Sequence, residues 1–222
     1  MPYTRLLPEV TISELTPRKR RFFLKYLARF LLLFESVKAK GSFLDSKRVI
    51  VTAAPHQSGK DEYLMILMIL ALDIEVCYLS AKWTMRRIPI PFIKPKDIDN
   101  QGIPWPLGWL QEIVFRKFGA IPVDRKGNSG QYDSVVQELL KRDNFLLIIT
   151  PEGRFDATRF RSSFLYLAKE LEAEVMPVQI DYEHDTLQFL NSLNLDGSEE
   201  EVIQRLRFCF DGVKGRKSRF KA

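Results

Sequence analysis

An α/β fold is what this sequence predicts: a largely parallel sheet flanked by helices, with an N-terminal amphipathic helix. Three observations carry it. Strand-like and helix-like segments alternate through the body of the chain with short connections, the pattern that builds parallel sheets. The run at 48–52, RVIVT, reads as a strand buried in such a sheet. At 222 residues and 45% hydrophobic, the chain is long enough for one large domain with a full core, and its composition shows no sign of disorder.

The elements follow in order. In the stretch 16–41, Thr16 is placed as N-cap and Pro17 at the first helical position, and the helix is expected to close at Gly41. Arg18, Arg21, Lys25 and Arg29 recur at three- and four-residue steps as one basic stripe. Phe22, Phe23, Tyr26, Leu27, Phe30, Leu31, Leu33 and Phe34 form a wide apolar arc opposite and beside it. Cations on one side and aromatics on the other suit a helix lying in a membrane interface. The same pattern also fits a helix packed on the body with snorkelling basic side chains.

Beyond it, strands are expected at 48–52, 75–79, 120–123, 145–149 and 175–180, and helices at 62–72, 107–118, 131–142, 164–172 and 199–210. One segment breaks the alternation. Five prolines between Pro89 and Pro106 predict an extended loop that cannot join a helix or a central strand, either a lid over a site or a surface connection. The organisation expected is an N-terminal membrane-interface region at 1–45, a catalytic domain at 46–212 and a basic tail at 213–222.

Charge is unevenly placed. Residues 1–45 hold nine Lys/Arg against four Asp/Glu, and residues 213–222 hold five Lys/Arg and no acid, within a net charge of +6. The body between them is therefore mildly acidic, unlike a nucleic-acid groove, which needs basic residues along the folded surface. Basic ends on an acidic body suit attachment to an anionic membrane surface. Neither a signal peptide nor a spanning helix is expected, since no apolar run reaches about 18 residues. Two cysteines, Cys77 and Cys209, cannot build a disulfide framework and suit a reducing compartment. With two histidines, His56 and His184, a dedicated metal cluster is not expected.

The stretch VIVTAAPHQSGKDEYL, 49–64, admits two chemistries. Ala54 to Asp61 approaches the G-x-x-x-x-G-K-[ST] phosphate loop, but Ala54 stands at its first position and Asp61 at its last, where a carboxylate repels phosphate. Alternatively, His56 leaves the strand and Asp61 lies in the first turn of the next helix. Five helical steps separate side chains by about 140°, so the two meet only if the loop folds His56 back. Pro55 and Gly59 mark such irregular backbone. In a bland reading, Ser58-Gly59-Lys60-Asp61 is a capping box and Asp61 only caps the helix.

Four ordered blocks extend the second reading. His56-x4-Asp61, GAIPVDR at 119–125, PEGR at 151–154 and VMPV at 175–178 together resemble the glycerophospholipid acyltransferase family, of the lysophosphatidic acid acyltransferase type. The similarity spans about 49–182 and includes LSAKW before the second block and RSSFLYLAKELEAEVMPVQIDYE around the fourth. Two positions depart from the pattern: Pro55 precedes the histidine where Asn is usual, and Arg154 directly follows Gly153 where the family has P-E-G-T-R.

The resemblance implies transfer of a fatty acyl group from acyl-CoA or acyl carrier protein to the hydroxyl of a lipid acceptor, with no cofactor beyond the thioester donor. His56 would be the general base, suited by an imidazole pKa of roughly 6.5, and Asp61 its orienting partner. Arg125 would bind the acceptor phosphate through its planar fork. Glu152 would bind the acceptor or order Arg125, Gly153 would let backbone approach the ligand, and Arg154 would be a second phosphate ligand. The acceptor implied is 1-acyl-glycerol-3-phosphate; glycerol-3-phosphate, a different lysophospholipid or an amino-acid lipid are alternative acceptors, and a P-loop-like nucleotide binder and a silent membrane-binding relative are the alternatives from other classes. His56, Arg125 and Glu152 each follow an expected strand, and the carboxyl ends of parallel strands share one edge, where ligands bind. A peripheral position on the cytoplasmic face of a membrane would follow from the lipid acceptor and the basic ends.

Overall fold

A computed structural model of the chain describes residues 9–12, 14, 16, 22–57, 59–81, 84–88, 103–104, 106–123, 130–152 and 159–215. The strands are β1 (Glu9–Thr11), β2 (Lys38–Ser42), β3 (Arg48–Ala54), β4 (Cys77–Ala81), β5 (Arg87–Ile88), β6 (Ile103–Pro104), β7 (Ala120–Val123), β8 (Phe145–Ile149), β9 (Glu174–Asp181) and β10 (Thr186–Phe189). The helices are α1 (Phe22–Leu32), α2 (Gly59–Ala71), α3 (Gly108–Lys117), α4 (Gly130–Leu140), α5 (Ser163–Glu170) and α6 (Glu199–Phe208). Their contacts divide them between two units, Met1–Val76 with Asp143–Ala222, and Cys77–Arg142.

The first unit holds strands in the order β1-β2-β10-β9-β3-β8. Every neighbouring pair is parallel except β9 and β10, which form an antiparallel hairpin. The interior strands are apolar runs. All five residues of β8 are buried, and so is every residue of β3 after Arg48. A strand covered on both faces needs apolar side chains at successive positions, which is why FLLII and VIVTAA show no alternation.

Against this sheet unit lies α2, buried at nearly every position from Leu64 to Ala71. Its end is set by a Schellman motif: Asp73 takes the left-handed conformation at φ 66°, Asp73 N donates to Leu70 O at 3.0 Å and Ile74 N to Ile69 O at 3.2 Å. The α1 helix packs on α2 through its buried Ala28 and Leu32. At α6 the capping box is explicit, with Ser198 and Glu201 exchanging side-chain and backbone hydrogen bonds.

In the second unit β4 and β7 pair in parallel, and β5 pairs with β6 as a short antiparallel ribbon. The proline-rich segment thus begins and ends in two-residue strands, and its interior lies outside the described residues. Among the described residues, no helix is long and apolar enough to cross a membrane.

The first helix corrects the sequence reading. It ends at Leu32 and is followed by three-residue turns, and 38–42, expected as its last turn, is strand β2. The Lys-Ala-Lys alternation there has the strand period, with Ala39 buried between exposed Lys38 and Lys40. Gly41 is no helix stop. It sits at φ 100° opposite Phe189, and a Cβ added there would collide with the Phe189 carbonyl oxygen. We predict that Gly41→Ala destabilises the protein by about 1–3 kcal/mol, the usual cost of a forced backbone conformation. Urea unfolding reads this, and an unchanged midpoint would show that β2 relaxes freely. Thr16, expected as the N-cap, is buried, and among the described residues its hydroxyl finds no hydrogen-bond partner, so no capping bond is made there; Pro17, Arg18 and Arg21 lie outside the described residues.

Candidate active site

Three adjacent parallel strands, β8, β3 and β9, bring their carboxyl ends together, because Thr52 of β3 lies opposite both Ile149 of β8 and Pro177 of β9. His56 follows β3, Glu152 follows β8, and Tyr182 follows β9. All three side chains are buried, as is Asp61 in the first turn of α2. Strand order therefore does what sequence distance obscures: it gathers residues 96 and 121 positions apart into one site.

The loop between β3 and α2 does fold His56 back. Its Nδ1 stands 3.7 Å from Asp61 Oδ2, too long for a formed hydrogen bond but within reach of one. Asp61 also accepts the Gln57 N–H at 2.7 Å through that same oxygen. The helix-capping reading and the orienting reading are thus joined in one carboxylate, which satisfies backbone at the start of α2 while facing the imidazole. That arrangement also disposes of a phosphate loop, because Asp61 takes an N–H that such a loop would offer to its ligand. Ser58, the other half of the expected capping box, lies outside the described residues.

Glu152 has a role the sequence did not reveal. Its Oε2 accepts the His56 backbone N–H at 2.6 Å, a buried hydrogen bond that anchors the histidine loop to the end of β8. Glu152 thus holds the position of His56, a task distinct from those expected of it. Tyr182, unassigned from sequence, donates its hydroxyl to Asp61 Oδ1 at 2.6 Å. Its signal was its place in QIDYE, directly after the VMPV strand. Glu62 stands 3.4 Å from His56 Nε2 with 47% of its side chain exposed.

The hairpin turn carrying Tyr182 is pinned by Asp181, which accepts from the backbone of Glu183 at 2.8 Å and His184 at 3.3 Å and meets the His184 ring at 2.7 Å. Burial acts upward on the Asp181 carboxyl, but those hydrogen bonds outweigh it and hold the group below its ordinary range. His184 is exposed and belongs to this turn, not to the site. Arg125, Gly153 and Arg154 lie outside the described residues. Among the described residues, no group of three or more His, Cys, Asp or Glu is placed to hold a metal ion.

A family model described as Acyltransferase matches residues 106–181, about a third of the chain. The match takes in Arg125, Glu152, Gly153 and Arg154, and it excludes His56, Asp61 and Tyr182. Acyl transfer is the general activity it supports. No curated protein matches the chain.

Proposed function

We propose, for a chain whose residues 106–181 match the acyltransferase family model, that it moves a fatty acyl group from an acyl thioester to the hydroxyl of a lysophospholipid, with 1-acyl-glycerol-3-phosphate as acceptor. One observation carries the reading. Glu152, inside the matched segment, is hydrogen-bonded to the backbone of His56, outside it, so the family segment positions a histidine that faces a buried aspartate.

In this mechanism His56 Nε2 takes the acceptor's hydroxyl proton as that oxygen attacks the thioester carbonyl carbon. Asp61, on the Nδ1 side, holds the tautomer that leaves Nε2 able to accept. The tetrahedral intermediate collapses with loss of the C–S bond, the new C–O ester bond remains, and the imidazolium returns the proton to the departing thiolate. The products are an ester and a free thiol, and the reaction calls for no cofactor. Glu62 stands on the Nε2 side near the surface, so the incoming hydroxyl displaces its side chain to reach the base. Cys209 is a poor candidate for a covalent acyl carrier, because burial raises its thiol pKa.

Asp61, Glu62 and Glu152 give the described part of the site a negative charge, which by itself disfavours a phosphorylated acceptor. Cations must offset it, and this is the role assigned to Arg125 and Arg154, with Gly153 admitting the ligand close to backbone. The donor is acyl-CoA or acyl carrier protein. The test is acyl transfer from palmitoyl-CoA or acyl carrier protein to lysophosphatidic acid in anionic vesicles; no transfer from either donor would overturn the reading. Arg125→Ala is predicted to lose about tenfold or more with lysophosphatidic acid and little with an uncharged monoacylglycerol. Equal loss on both would remove Arg125 from the phosphate.

A lipid acceptor gives α1 a purpose, and here the structure alters the expected division of labour. Lys25 and Arg29, half of the predicted basic stripe, face the body: Lys25 Nζ pairs with Asp73 Oδ2 at 3.2 Å and Arg29 Nε donates to Ala71 O at 3.1 Å. The aromatics face outward, with Phe23 74%, Phe30 55% and Phe34 73% exposed. These rings, rather than the tethered cations, would enter the interface, and the basic tail would supply attraction to anionic lipid. The protein so placed works peripherally, on the cytoplasmic face of the membrane. Replacing Phe23, Phe30 and Phe34 with Ser is expected to weaken binding to phosphatidylglycerol vesicles by about tenfold or more. Sedimentation with vesicles measures it, and unchanged binding would return α1 to a packing role alone.

A further inference from the structure

We propose that Tyr182 is a positioning residue for the His56–Asp61 pair, fixing the Asp61 carboxylate so that Oδ2 faces the imidazole. The inference rests on the reading of His56 as general base. Asp61 is 1% exposed, and its two oxygens have different tasks. Oδ2 meets Gln57 N at 2.7 Å and His56 Nδ1 at 3.7 Å, while Oδ1 accepts the Tyr182 hydroxyl at 2.6 Å. That length is within the range of a well-formed O–H···O hydrogen bond. A carboxylate held at Oδ2 alone can swing about that contact. Held at both ends, it is restrained from exchanging its oxygens or swinging away from the imidazole.

Tyr182 can do this because its own backbone is held. It opens the β9–β10 turn, whose following N–H groups are gathered by Asp181, and its N–H donates to Lys214 O at 3.0 Å. The same C-terminal segment also lies on the histidine loop: Gly215 is buried against the Gln57 side chain, where an added Cβ would stand 2.5 Å from Gln57 Oε1. The segment 214–215 therefore touches both residues that orient Asp61, Gln57 and Tyr182.

A tyrosine that merely satisfied its own hydroxyl would affect folding, not the state of the imidazole. Tyr182→Phe keeps the ring and removes one oxygen. The expected result is a fall in kcat of about tenfold or more with KM within about twofold, because the loss falls on the transition state. Nitrogen-15 spectra of the histidine rings should show a changed tautomer balance at His56 and unchanged His184 signals; the chain has two histidines, and His56→Ala assigns them.

A kcat within about twofold of wild type, or a lowered kcat with the His56 ring signals unmoved, would overturn the proposal. Tyr182→Gln and Tyr182→Leu, similar in size, ask whether a donor or the ring is needed. Recovery of the His56 signals with Gln but not Leu upholds it, and equal behaviour overturns it. Since the spectra need no substrate, they decide the role of Tyr182 even where the wild type transfers no acyl group, which is the separate failure of the proposed function.

Discussion

His56→Ala is expected to lower kcat for acyl transfer by about 10³-fold, within the range of 10²–10⁴ typical of a lost general base. An alcohol attacks a thioester slowly unless its proton is taken as the bond forms, and the proposed chemistry gives that proton to His56 Nε2. The variant is a clean test because of how the loop is held. Glu152 grips the backbone N–H of residue 56, not its side chain, and Asp61 grips the backbone N–H of Gln57. Both bonds survive truncation to alanine. Loss of activity would therefore report lost chemistry and not a displaced loop, provided thermal unfolding stays close to wild type. Thiol release from palmitoyl-CoA measures the rate, and a kcat within about tenfold of wild type would sink the general-base role.

Asp61→Asn should be nearly as damaging, with two separable effects. The amide keeps the shape of the carboxylate but offers one acceptor oxygen where the structure uses two. With that oxygen toward Tyr182, the NH2 group meets the Gln57 N–H donor and turns a donor toward His56 Nδ1. With the amide reversed, the Tyr182 hydroxyl loses its acceptor. Either way a partly or fully buried donor loses its Asp61 acceptor, at a cost of about 1–3 kcal/mol. For a chain of this length, each kcal/mol lowers the melting temperature by about 2–4 °C. The first orientation also favours the tautomer protonated at Nε2, which cannot accept the hydroxyl proton, so kcat should fall by about 10²–10⁴-fold. Wild-type turnover in this variant would end the orienting role. Lost turnover at unchanged stability would show that the hydrogen bonds around Asp61 rearrange while the tautomer still changes.

The parts of this protein legible in its sequence are those written in local periodicity. The runs that became β3, β8 and β7 are apolar without alternation or short and bounded by glycine, and the expected ranges 120–123 and 145–149 coincide with the strands observed. The expected helices at 62–72, 107–118 and 199–210 lie within two or three residues of α2, α3 and α6 at each end. His56 and Asp61 were found by a spacing of five residues across a strand–helix junction, a short-range feature. Less legible were β1, an edge strand, β10, a hairpin strand, and β2, whose KAKGS run holds few apolar residues and is recognisable as a strand only once β1 and β10 pair with it. Gly41 was misread for the same reason: a glycine that stops a helix and one that admits a neighbouring carbonyl look alike until the neighbour, Phe189, is in place.

What the sequence determined by itself was the class of fold, the alternation of elements and the two residues proposed to carry the chemistry. Only the tertiary structure decided which groups support them. The bond from His56 N–H to Glu152 spans 96 residues and that from Tyr182 to Asp61 spans 121. Both depend on β8, β3 and β9 lying side by side in a particular register. Register is chosen by pairing between strands, a relation no single segment encodes. For the same reason the face that α1 turns outward was settled by where Lys25 and Arg29 find partners on α2 and the turn after it, not by the pattern of the helix alone.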